Sequence, residues 1–192
     1  MMRHFALLAV LAAAPIGVAN AQDGSDQETV PISGTVAGIC VLGPPSQTAV
    51  DLGQMINMSG PDAGRIAPLA AQEVTLPDSF CNFAGTHISV SADALLADDS
   101  TTVQPGFARA VNFTSTVTNW ATGDATVTTA ATAGGAMPTA EASGGTQPLP
   151  RIADLELTLN NFTVPSNLRL VAGAYAGSVT ITLGPAAAPE GN

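Results

Sequence analysis

Lysine is absent from this chain, and most other residues that carry chemistry are scarce. Of its 192 residues two are histidine, one is tryptophan, one is tyrosine, and only 10% are charged. With five basic residues against fifteen acidic ones the surface repels nucleic acid and anionic lipid, so neither is expected as a partner. The long helix formers Glu, Lys and Arg give way to Ala, Thr, Val, Gly and Ser, which suits a β-rich surface protein and not a helical enzyme. Beyond the N-terminal leader no stretch is apolar enough to span a bilayer, which takes about 20 residues.

What is present begins with an export signal. Arg3 and His4 supply a positive start, Phe5 to Ala14 an apolar run, and Ala19-Asn20-Ala21 an A-x-A cleavage site. Residues 1–21 are therefore expected to be a signal peptide, leaving an exported chain of one-domain size with no membrane insertion after cleavage. In an oxidising compartment the two cysteines, Cys40 and Cys81, are most simply one disulfide. A two-cysteine metal site lacks partners, because His87 is the only histidine after the leader.

From Val30 onward, period-two alternation recurs between Gly, Pro, Asn and Asp, and no long window after the leader has a 3.6-residue period. The expected fold is all-β, an immunoglobulin-like sandwich of about seven or eight antiparallel strands. The firmest strands are Thr86–Ala92, Ala108–Trp120, Ile152–Asn160 and Gly177–Gly184, the last two with Leu155, Leu157 and Leu159, and Val179, Ile181 and Leu183, on one face. Val30–Val36, Ala49–Leu52, Glu73–Leu76 and Ala125–Thr129 are shorter candidates. Residues 130–150, rich in Ala, Gly, Thr and Pro, are expected to be a long loop of the domain, and 186–192 a flexible tail.

No residue pattern supports catalysis, a metal or a cofactor. A hydrolase needs a base beside its nucleophile, and His87, the only histidine after the leader, sits on the polar face of a predicted strand and is expected to face solvent. The cluster Asp93, Asp98, Asp99 and Ser100 matches no EF-hand spacing and reads as a solvated turn. Three Asn-x-Ser/Thr triplets, at Asn57, Asn112 and Asn161, are of a kind frequent by chance in so Thr-rich a chain.

The order of features then becomes informative. Gly38-Ile39-Cys40-Val41-Leu42 is followed by Val50-Asp51-Leu52-Gly53, a strand ending at Cys81, Thr86-His87-Ile88-Ser89-Val90-Ser91, and finally Val171 to Leu183 with its Ala-Gly-Ala-Tyr-Ala-Gly start. This resembles bacterial chaperone-usher pilin subunits of the archaic type, the spore coat protein U-like group, with Leu52 standing where that family has Phe. The resemblance covers residues 36–183, and 121–150 match nothing in it. It implies a structural protein without enzymatic activity, a sandwich of residues 37–185 that lacks its last strand, and an N-terminal segment, 22–36, donated to a neighbour. Val30, Ile32, Gly34 and Val36 alternate as such a strand requires. The implied partners are homologous subunits, a periplasmic chaperone and an outer-membrane usher, and the implied destination is the cell surface. The residues alone leave open a pairing of 28–36 within their own domain, which would make the protein a self-sufficient secreted binding module for a carbohydrate or protein ligand.

Overall fold

The structure is a computed structural model and describes residues 26–98 and 102–185; the expected signal peptide, Asp99, Ser100 and the expected tail lie outside the described residues. The stretch ending at Val36 is a unit of its own, and the domain starts at Ala37. In chain order the strands are β1 (Cys40–Val41), β2 (Gln72–Cys81), β3 (Thr86–Ala97), β4 (Phe107–Ala108), β5 (Ala110–Thr118), β6 (Ala125–Thr128), β7 (Glu141–Gln147), β8 (Arg151–Thr163), β9 (Arg169–Leu170) and β10 (Tyr175–Pro185), with one 3-10 turn at Pro165–Asn167.

The all-β sandwich expected from the alternation is present. One sheet half runs β1-β2-β8-β5 with β6 beyond β5; the other runs β3-β10 with β7 on the opposite edge of β3. A short β3–β5 pairing, Leu95 with Val111 and Leu96 with Ala110, joins the halves at one corner. The long pairings, β3 with β10, β2 with β8 and β5 with β8, are antiparallel and join strands distant in the chain, while the short turn Asn82–Gly85 carries the chain from β2 in one half to β3 in the other. The exception is the two-residue β4–β9 pair, which is parallel.

The core follows from the alternation. Leu155 and Leu157 of β8, Phe113 and Val117 of β5 and Val74 of β2 face Ile88 and Val90 of β3, all within one buried cluster with Trp120. Polar residues take the outer face: Thr114 pairs with Thr128 across β5 and β6 through hydroxyls 2.9 Å apart, and Thr126 donates to Thr116 at 3.1 Å.

Five expectations are revised. Residues 141–147, assigned to a long loop, form β7 and pair with β3 from Thr86 to Ser91. Their sequence, Glu-Ala-Ser-Gly-Gly-Thr-Gln, carries almost no apolar alternation; the strand is held by backbone bonds and close glycine packing. Asp93 lies inside β3, which continues to Ala97, so it is not part of a turn; its carboxylate accepts from the Ser178 hydroxyl at 2.8 Å. Trp120 lies beyond β5, after Asn119 at positive φ, and is buried. Ala49–Leu52 and Val30–Val36 are in no strand.

Candidate functional site: an open apolar seam

Two sheets of a sandwich meet along two seams, and here the seams differ. On the β6–β7 side the Gly145 amide donates to the Gly123 carbonyl at 2.8 Å. A β-carbon on Gly144 would lie 2.7 Å from the Gly123 oxygen, and one on Gly145 only 2.9 Å from the Gly123 nitrogen. Any larger residue would force the sheets apart there.

On the other side, between β2 and β10, the core lies open. A cavity of about 640 Å³ runs along the seam, floored by Val74 and Leu76 of β2 and Leu157 of β8, and walled by Val179 and Ile181 of β10. Its opposite lip is the segment from Leu42 to Leu52. That segment is tied to β2: Ser46 N donates to Thr75 O at 2.8 Å, Thr75 N to Ser46 Oγ at 3.0 Å, and Gly43 N to the buried Ser79 Oγ at 2.9 Å. The close approach at Gly43, where a β-carbon would run into the Pro77 carbonyl, seats the lip over the irregularity between Leu76 and Ser79.

β10 closes nothing on this side. It pairs with β3 from Tyr175 to Pro185 and ends the strand order, with no backbone partner on its second edge among the described residues. Val179, Ile181 and Leu183, whose alternation is that of a core strand, are only half-buried. Apolar side chains left uncovered are costly in water, and the unpaired edge beside them is a template for another strand.

The cysteines stand at one end of this seam. Cys40 and Cys81 form a disulfide with sulfurs 2.01 Å apart, joining β1 to β2. Just upstream, Asn82 clamps the start of the domain: its Nδ2 donates to Ala37 O at 2.8 Å, its Oδ1 accepts from Ile39 N at 2.8 Å, and its amide donates to Ile39 O at 3.1 Å.

Of the alternating residues upstream, Val30, Ile32 and Val36 are 75%, 95% and 90% exposed, and Gly34 has no atom near its α-carbon's open side. His87, expected to face solvent, is half-buried on the outer face of β3 between Thr146 and Gly184, and its Nδ1 has no partner among the described residues. Among the described residues no three His, Cys, Asp or Glu side chains are grouped as a metal site, and no helix is long and apolar enough to cross a membrane. The Asn112 amide is engaged, accepting from Ala131 N at 2.7 Å and donating to Ala131 O at 3.0 Å.

The groove-lining residues Leu42 and Val50 had no signal in the sequence as a site. The alternation of Val179, Ile181 and Leu183 was legible, but not that their facing layer is incomplete. No protein-family model matches the chain, and neither the curated proteins nor the solved structures give a match.

Proposed function

We propose that this protein is an exported structural subunit of a cell-surface fimbria or related coat, in which residues 30–36 of one copy fill the β2–β10 seam of the next as a donated strand. The observation that carries this reading is the apolar groove beside an unpaired strand edge, in a chain whose upstream segment alternates Val30, Ile32, Gly34 and Val36 on one face. The lengths agree. Seven extended residues span about 20 Å, as does the stretch of β10 from Gly177 to Leu183. Burying two valines and an isoleucine contributes about 1.5–3 kcal/mol each before the costs of association. Pro31 has no N–H and forfeits one ladder bond.

For a strand that runs antiparallel to β10, chain reach favours a second copy as the donor. β1 starts at the end of the groove where Thr86, reached from Cys81 through the four-residue turn Asn82–Gly85, pairs with Pro185. A strand antiparallel to β10 would bring Val36 to the other end, near Gly177. The three residues 37–39 cannot lead back from there, because four peptide steps cover at most about 15 Å. Before assembly the same groove would need cover, the role that the resemblance gives to a periplasmic chaperone, with an outer-membrane usher as the site of polymerisation.

The test is a peptide copying Glu28 to Val36. Added to the purified mature protein, it should raise the melting temperature in a concentration-dependent way and compete with self-association. A stable monomer indifferent to the peptide would favour the other reading, a self-sufficient binding module.

A further inference from the structure

The outer face of the β1-β2-β8-β5-β6 half is polar along most of its length. Its rungs read Glu73–Thr158–Thr116–Thr126 and Thr75–Glu156–Thr118. One rung breaks the pattern. Val41 pairs with Phe80 and Phe80 with Ile152, so three apolar side chains stand in a row across β1, β2 and β8. They are outside the core: Ile152 is 72% exposed and Val41 44%, and Leu149 just before β8 is 66% exposed. Their neighbours in sequence, Cys40, Cys81 and Arg151, occupy the inward positions of the same strands. Phe80 between them is half-buried, so the row leaves its two ends in water, and an apolar row rimmed by polar residues is the pattern of an interaction surface.

The position of the rung identifies its occupant. The chain enters the domain at Ala37 through the Asn82 clamp, and Gly38 lies against the Phe83 ring, 3.1 Å from where its β-carbon would be. From that fixed point only Gly38, Ile39 and Cys40 separate Ala37 from Val41. A body that has taken up residues 30–36 must therefore lie within about 17 Å of the rung, whichever way the donated strand runs.

Resting on the strand-donation reading, we propose that the rung Val41–Phe80–Ile152 is a second contact between successive subunits, made with the copy that accepts residues 30–36 of the same chain. The donated strand supplies most of the affinity. The rung and the Asn82 clamp fix the angle at which one subunit stands on the next. Without them the short connection of residues 37–39 would act as a swivel.

The test uses the mature protein with one added cysteine, Ile152→Cys, labelled with a polarity-sensitive dye after the native disulfide has formed; Glu156→Cys, on the same face of β8, is the control. On passing from monomer to oligomer, iodide quenching of the label at position 152 should fall at least threefold while that at 156 stays unchanged. Oligomers in which the label at 152 is quenched as readily as in the monomer would overturn the second contact. In a parallel arm, Ile152→Glu should keep the monomer's melting temperature and its rise with the Glu28–Val36 peptide, yet its oligomers should dissociate at least threefold faster. Unchanged dissociation with an intact peptide response would refute the rung and leave strand donation standing. Loss of the peptide response in the unsubstituted protein, or no oligomer at any concentration, would refute strand donation and the rung with it.

Discussion

The two seams of this sandwich are built from the same kinds of strand and end in opposite ways. At the β6–β7 seam, glycines let the backbones touch, Gly145 N bonds to Gly123 O, and Trp120 is packed away at 1% exposure. At the β2–β10 seam, Val179 and Ile181 face a groove of about 640 Å³ and the edge of β10 is unpaired. A fold that closes one seam so tightly is not loosely packed in general. The opening is local, and it coincides with the longest apolar alternation on an edge strand.

The contrast can be broken at its shared anchor first. Replacing both Cys40 and Cys81 by alanine removes a link across 41 residues, and we expect a loss of about 3–4 kcal/mol by chain entropy, seen as a lower urea midpoint. The lip from Leu42 to Leu52 should loosen with it. At the closed seam, Gly145→Val must push Gly123 away, at a cost of about 2–3 kcal/mol in the same measurement.

A matched pair sharpens the comparison. Leu155, fully buried, should cost about 2–5 kcal/mol when changed to alanine. Ile181, half-exposed in the groove, should cost about 1 kcal/mol in the free protein, because much of its surface is already in water. With the Glu28–Val36 peptide present the two costs should converge, since the donated strand would complete the burial of Ile181.

The smallest effect concerns Tyr175, at the start of β10. Its hydroxyl donates to Val171 O at 2.9 Å, and burial, opposed by the Arg109 charge, pushes its pKa up to about 12 from 10.0. The folded state therefore holds the phenolic proton more tightly than the unfolded one. The associated stability is fully present below pH 10 and is lost as the pH rises toward 12. Tyr175→Phe should flatten this alkaline decline in thermal melts.

Much of the fold was legible because alternation is a direct imprint of a two-faced strand. Leu155, Leu157 and Leu159 announced β8, and Val179, Ile181 and Leu183 announced β10, in the same pattern. That sameness is also why the site was hidden: period two reports that a strand has an apolar face, not whether a layer covers it. Only the place of β10 at the end of the strand order distinguishes the half-exposed face from the buried one. β7 was hidden for the opposite reason, because Gly144 and Gly145 serve backbone approach and leave no side-chain pattern. The Cys40–Cys81 link was readable from the parity of the cysteines and the expected export signal. The Val41–Phe80–Ile152 rung required the register between three strands distant in sequence.

Hydrogen exchange along β10 tests strand donation most directly. In the free monomer, amides between Ser178 and Gly184 that point away from β3 should exchange quickly for a strand of this length. Addition of the Glu28–Val36 peptide should slow those alternate amides at least tenfold and leave the β6–β7 seam unchanged. Fast exchange that persists at saturating peptide, or strong protection of these amides in the free monomer, would contradict an open seam completed by a neighbour's strand.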